Sequence, residues 1–258
     1  MNRKGKWLAL GAILITGLAS CGSSTWETIT LGRNSFTTIT LGNNGFASTV
    51  TDRGEMNFGG GALVQGNGDI VTKIRHEQNF TSVRLRSWGD VRIHHSHEHK
   101  VVVTTDSNIQ GYFDVEVHEG ELRVGFLGNG RFLPTEVAID VYMPVLDGIA
   151  IPYSGDFVIG DLDMATLDIR VTGSGRIEFT GGSVGSLGIV INGSAYINAK
   201  NLQAESAIVT VNGFSKMELW VTENLCVRNN GVGVIAFRGE PATMDIRNNG
   251  SGRVGFIQ

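Results

Sequence analysis

VTGSGRIEFTGGSVGSLGIVINGSAYINAKNLQAESAIVTVNGFSKMEL, residues 171–219, repeats itself every 20 residues. Aligned on TGSGRIEF (172–179), NGSAYINA (192–199) and NGFSKMEL (212–219), the pattern extends to NGVGVIAF (230–237) and NGSGRVGF (249–256). Gly173, Gly193, Gly213, Gly231 and Gly250 therefore recur at intervals of 20, 20, 18 and 19 residues. An earlier member, Tyr153-Ser154-Gly155-Asp156-Phe157-Val158-Ile159, precedes the first by 20, and Ser87-Trp88-Gly89-Asp90-Val91-Arg92-Ile93 is a remote one.

Around each glycine the apolar residues alternate. Leu167, Ile169 and Val171 precede Gly173, and Ile177 and Phe179 follow it. The same parity gives Leu187, Ile189, Ile191, Ile197 and Ala199, then Ala207, Val209, Val211, Met217 and Leu219. The last two units give Leu225, Val227, Asn229, Ile235 and Phe237, then Met244, Ile246, Asn248, Val254 and Phe256. The intervening Asp168, Arg170, Arg176, Glu178, Lys216, Glu218, Arg228 and Arg247 are charged. A period of two is a strand with one buried face, so each unit is a strand, a bend at glycine and a second strand.

Gly175, Ala195, Ser215, Gly233 and Gly252, two residues past the bend, are all small, as a corner against a stacked neighbour requires. Asn192, Asn212, Asn230 and Asn249 precede the bend glycine, and stacked units would join their amides in a ladder about 4.8 Å per step. A meander of hairpins would not return the same residue to the same corner. The sequence therefore predicts an all-β fold, a right-handed parallel β-helix (β-solenoid) of about 20 residues per coil, with the hand set by the crossover rule.

The half before residue 149 is less regular. FTSVRLRSWGDVRI (80–93) carries the inward set Val83, Leu85, Val91 and Ile93 and is expected to be the first coil. KVVVTTD (100–106), YFDVEVHEG (112–120), ELRVGF (121–126) and TEVAIDVYMP (135–144) read as hairpin strands forming an inserted or splayed sheet before coiling resumes near Ile149. Some cap is required, because a bare solenoid end is an aggregation edge.

Composition agrees. Glycine is 36 of 258 residues, a content that excludes an all-α fold, while 41% hydrophobic residues are enough for a core. Residues 1–20 carry Arg3, Lys4 and Lys6 and no acid, and the rest of the chain has net charge −7, a poor match to nucleic acid. A basic start, the apolar run Trp7–Gly17 and small residues form a secretory signal too short to span a membrane. Leu18-Ala19-Ser20-Cys21-Gly22 looks like a bacterial lipobox, which makes Cys21 the expected lipidation site; by resemblance to sorting signals, Gly22 favours the outer membrane. The expected divisions are a lipoprotein signal peptide at 1–20, a lipidated cysteine and Thr/Gly/Asn-rich tether at 21–61, and a β-helical domain at 62–258. The tether contains the near-repeat ITLGRNSFTT (29–38) and ITLGNNGFAS (39–48). With Cys21 acylated, Cys226 has no partner for a disulfide.

From about Gly66 to Phe256 the chain resembles the head GIN domain family of bacterial auto-transporter adhesins. GNGDIVTKIR (66–75), VEVHEGELRVGF, AIDVYMPVLDGIAIPYSGDFVIG (138–160) and GEPATMDIRNNGSGRVGF (239–256) carry the resemblance. It implies a lipoprotein-like or secreted protein with a pectin-lyase-like β-helix, no recognised catalytic set and an adhesive role. Ala195 and Ser215 depart from the family's usual glycine, and the Thr-rich stretch before residue 62 is not part of the pattern.

Three clusters are candidate sites. If a strand ran through His94-His95-Ser96-His97-Glu98-His99, then His95, His97 and His99 would share a face suited to Zn²⁺; alternatively these residues are an exposed tip. Glu178 and Glu218 share a column about 9.6 Å apart, near an inverting glycosidase spacing, but Asn198 lies between them and no nucleophile elbow or phosphate loop is present. Arg176, Tyr196 and Lys216 stack in one column, a cation–aromatic–cation strip for a sugar ring or acidic glycan, or else an ordinary outward ladder. The expected function is a lipid-anchored, non-enzymatic outer-membrane module without cofactor, which presents a rigid face to a glycan or to a host or envelope protein. The alternatives are a periplasm-facing structural or sensory module and, by fold analogy, a polysaccharide enzyme.

Overall fold

The structure, a computed structural model, describes strands at 27–31, 37–41, 47–50 and 55–58 and the chain over 61–257 apart from 128–129, with side chains from Leu63. The signal segment and Cys21 lie outside the described residues.

The repeat folds as stacked parallel coils. Asp163–Val171 pairs with Ser183–Ile191, and Ser174–Phe179 with the start of Ser194–Val211, each 20 residues on. Ser194–Val211 then pairs along its length with Phe214–Asn229, with register shifts between Ala199/Gln203 and Ala204/Ser206. That corner absorbs the residues missing from the 18-residue coil. Each coil thus contributes to two main ladders, hereafter the leading face (residues before the bend glycine) and the trailing face (residues after it).

The predicted parity holds. Leu167, Ile169, Val171, Ile177, Phe179, Leu187, Ile189, Ile191, Ile197, Val209, Val211, Met217, Leu219 and Val227 are buried in one core, each contributing about 1.5–3 kcal/mol of apolar burial. The Asn ladder also forms: Asn212 Nδ2 donates to Asn192 Oδ1 (2.8 Å), Asn230 to Asn212 (2.9 Å) and Asn249 to Asn230 (3.2 Å). The bend glycine is a tight corner position in every unit, and in the fourth the residue two later, Gly233, is as tight, since a Cβ there would overlap the Ser215 carbonyl oxygen. A Cβ at Gly173 would overlap the carbonyl oxygen of Tyr153, and one at Gly193, Gly213, Gly231 or Gly250 the carbonyl of the preceding bend glycine. Their requirement is thus one of close backbone approach. Ala195 and Ser215 fill the inside of the corner and are buried.

The last coil departs from expectation. Every residue of Thr243–Asn248 is exposed, including Met244 and Ile246, and so is Phe256. Inward positions are covered only where another coil stacks on them, and among the described residues none stacks on this one.

At the other end, Ser82–Leu85 and Asp90–His95 form the expected first coil, directly beneath Gly148–Ile151 and Ser154–Ile159. Part of the expected splayed sheet is instead another coil: Glu121–Phe126 pairs in parallel with Ser82–Leu85, and Val137–Met143 with Asp90–His95. This coil lies below the first, out of chain order. Antiparallel strands then cap it: Phe113–His118 against Glu121–Phe126, Lys100–Asp106 against Val137–Met143, and Ile70–Arg75 against Lys100–Asp106. Strands 27–31, 37–41, 47–50, 55–58 and 61–65 form an antiparallel meander, with Ile29 opposite Ile39 across the near-repeat. Its last strand pairs in parallel with Arg131–Leu133.

Asp106 ties these parts together. Fully buried, it accepts the N–H groups of Gly68 and Thr135 (both 2.7 Å) and the Thr135 hydroxyl (2.9 Å). Burial pushes its pKa up, but these donors outweigh burial and hold the carboxyl below the usual range.

Two outcomes follow from these contacts. Gly213→Ala will lower unfolding stability by more than about 2 kcal/mol, because backbone must move, whereas Gly111→Ala, with open space at its Cβ, will change it by under about 0.5 kcal/mol; urea titration compares them. Because the folded pKa of Asp106 is depressed, its contribution is present above the unfolded value near 4 and is lost as pH falls through the folded value. Melting temperature against pH will therefore fall more steeply below about pH 4 in the wild type than in Asp106→Asn, which will be less stable at neutral pH by about 1–3 kcal/mol.

Candidate binding face

On the trailing face the inward residues Ile177, Ile197 and Met217 lock the register, so the even-numbered neighbours point outward. One outward column runs Asp90, Asp156, Arg176, Tyr196, Lys216, Val234 and Arg253. The predicted strip is therefore assembled: the Arg176 guanidinium lies 4.8 Å and the Lys216 ammonium 5.5 Å from the Tyr196 ring centroid. The column nearer the bend carries Ser154, Ser174 and Ser194 and then the half-exposed Phe214. Between the two columns Gly155, Gly175 and Ala195 turn inward, toward Leu85 and Ile151, so only their backbone lies at the surface there. The result is a shallow groove of about 420 Å³.

The groove continues past Ser154 and Asp156 into a second hollow of about 450 Å³, lined by Trp88, Asp90 and Glu136 among others. Trp88 is partly exposed and stands 5.9 Å from the Phe126 ring. The whole channel is acidic at one end and cationic around an aromatic ring at the other. The strip was visible at 20-residue spacing, but the acidic hollow was not, because Glu136 reaches Asp90 only through the coil placed out of order.

The three candidate histidines do not converge: His95 and His97 are neighbours, and His99 turns away. His99 Nε2 is 2.8 Å from the Phe80 carbonyl oxygen, His94 Nε2 is 2.8 Å from Asp140 Oδ1, and the His95 and His97 rings are 5.9 Å apart. The strand stops at His95, so the alternation needed for a shared face ends there. Among the described residues no group of three His, Cys, Asp or Glu is placed to hold a metal ion. Glu178 and Glu218 occupy one column with Asn198 between them, and Cys226 is a half-buried free thiol beside Ile208.

The leading face has a groove of about 330 Å³ bordered by Arg84, Glu121, Asp168 and Arg170. Glu121 Oε1 accepts from Arg84 Nε (2.7 Å) and Arg123 Nε (2.9 Å). Burial raises the pKa of this carboxyl, but the two guanidinium groups outweigh it and hold the pKa below the ordinary range. Among the described residues no helix is long and apolar enough to cross a membrane.

Stacked parallel coils with an antiparallel cap at one end and shallow grooves along their sides define a β-solenoid. The chain belongs to the family described as "Putative auto-transporter adhesin, head GIN domain", whose model matches residues 79–241. The crystal structure of a putative adhesin from Bacteroides fragilis NCTC 9343 is similar over 75% of this chain and 100% of its own, at 20% identity and a TM-score of 0.65. A putative adhesin from Parabacteroides merdae ATCC 43184 matches over 76% of this chain and 99% of its own, at 20% identity and 0.52. At these identities the likeness is one of fold. No curated protein matches the chain. Membership of an adhesin family marks the chain as a surface or envelope protein.

Proposed function

We propose that this protein is a non-catalytic adhesin module, held to the outer membrane through lipid on Cys21, which binds an acidic glycan along the trailing face. The carrying observation is Tyr196 held between Arg176 and Lys216 over a floor of Ser174, Gly175 and Ala195. An aromatic ring offers a stacking surface to the apolar face of a sugar, and two cations beside it favour a carboxylated one. Asp156, one coil away, provides acceptors for sugar hydroxyls. The outward carboxylates lie on opposite faces (Asp168 and Asp245 leading, Glu178 and Glu218 trailing), and those that share a face are two or more coils apart, which supports a binding rather than a catalytic role.

On an array of uronic-acid and sialylated glycans, the full chain will retain at least one acidic ligand. Tyr196→Ala will weaken that binding by about tenfold or more, and Arg176→Gln with Lys216→Gln will remove its salt dependence. Retention unaffected by all three substitutions would reject the strip. Protease treatment of intact cells will release the domain while a periplasmic marker survives; protection until the outer membrane is opened would instead indicate an envelope partner.

A further inference from the structure

We infer that the open end of the solenoid pairs with the open end of a second copy, through antiparallel association of strand Thr243–Asn248 with itself. The last described coil presents three exposed apolar side chains, Met244 (57%), Ile246 (39%) and Phe256 (58%), and among the described residues Thr243–Asn248 pairs only with Phe214–Asn229, which leaves its other edge open. Exposed edges of this kind are templates for another strand. The identity of that strand is carried by the sequence of the edge.

Asn249 N–H donates back to the Asn229 carbonyl (2.8 Å). In a parallel ladder, alternate residues turn their backbone groups to opposite sides. Asp245 and Arg247 therefore face the neighbouring coil with their N–H and C=O groups, and Met244, Ile246 and Asn248 turn theirs to the open edge. An antiparallel partner must place outward-turned residues opposite outward-turned residues. Centring the strand on Ile246 does this for an identical copy: Ile246 meets Ile246, and Met244 meets Asn248.

The same register sets Asp245 opposite Arg247 of the second copy, twice. These are non-hydrogen-bonded pairs, where side chains come closest. Within one chain Asp245 already accepts from Arg228 Nη2 (2.9 Å) and lies 3.5 Å from Arg247 Nε; the second copy extends that chain of alternating charge. Backbone direction, apolar exposure and charge order thus select a twofold contact between identical ends, and the trailing-face channel stays free on both copies. The inference is independent of the glycan proposal.

Sedimentation of the detergent-solubilised full chain will show a dimer at tens of micromolar. Asp245→Arg and Arg247→Asp will each reduce self-association by about tenfold or more, since each opposes like charges. An equimolar mixture of the two variants will recover the dimer, which a folding defect in either would not allow. In a Cys226→Ser background, Ile246→Cys will give a disulfide-linked dimer in the oxidising envelope, because Cα atoms in such a pair lie about 5.5 Å apart. Ile208→Cys, exposed on the side of the solenoid, will not. A monomeric wild type, reversal variants that associate like the wild type, or equal cross-linking at 208 and 246 would overturn the inference.

Discussion

The structure depends on how closely one backbone passes another at the bend. At Gly173, Gly193, Gly213, Gly231 and Gly250 no Cβ fits, because the carbonyl of the preceding coil occupies its place. With that contact in place, successive coils sit at strand spacing, the Asn amides just before the bend reach one another, and residues 20 positions apart share a column. The trailing-face strip is a product of the same contact. Arg176, Tyr196 and Lys216 are distant in sequence and adjacent in space only because three bends superpose.

What could be read from the sequence was whatever this register controls. Parity at Leu187, Ile189 and Ile191 survived translation into burial, as did the ladder from Asn192 to Asn249, because both are local patterns repeated against copies of themselves. The coil formed by Glu121–Phe126 and Val137–Met143 has no signature in the repeat, because its two faces are joined by the ten residues 127–136 instead of a short bend at glycine. Met244 and Ile246 have the same parity as their buried counterparts, yet burial depends on a neighbour that no property of the strand itself encodes.

The binding face divides in the same way. Its cationic and aromatic half is written at regular spacing, whereas its acidic half joins Asp90 to Glu136 across the irregular insertion. The Arg84–Glu121–Arg123 cluster on the leading face also needs the out-of-order coil and has no sequence signature. For the histidines, strand alternation was a sound premise only as far as His95; beyond it His99 turns back to the Phe80 carbonyl.

The displaced coil also shapes how the chain acquires its structure. The 82–95 coil receives one neighbour only when 121–143 has been made and the other only when 148–159 has followed. A chain threaded outward from its N-terminus therefore cannot wind up one coil at a time from the start; it must close loops of tens of residues before its first stable layer exists, and non-local closure is slow. From residue 160 onward each coil needs only its predecessor, as in other repeat arrays. The molecule is thus a cooperative nucleus followed by a zipper, and mechanical or thermal fraying of a single copy will begin at the end last assembled.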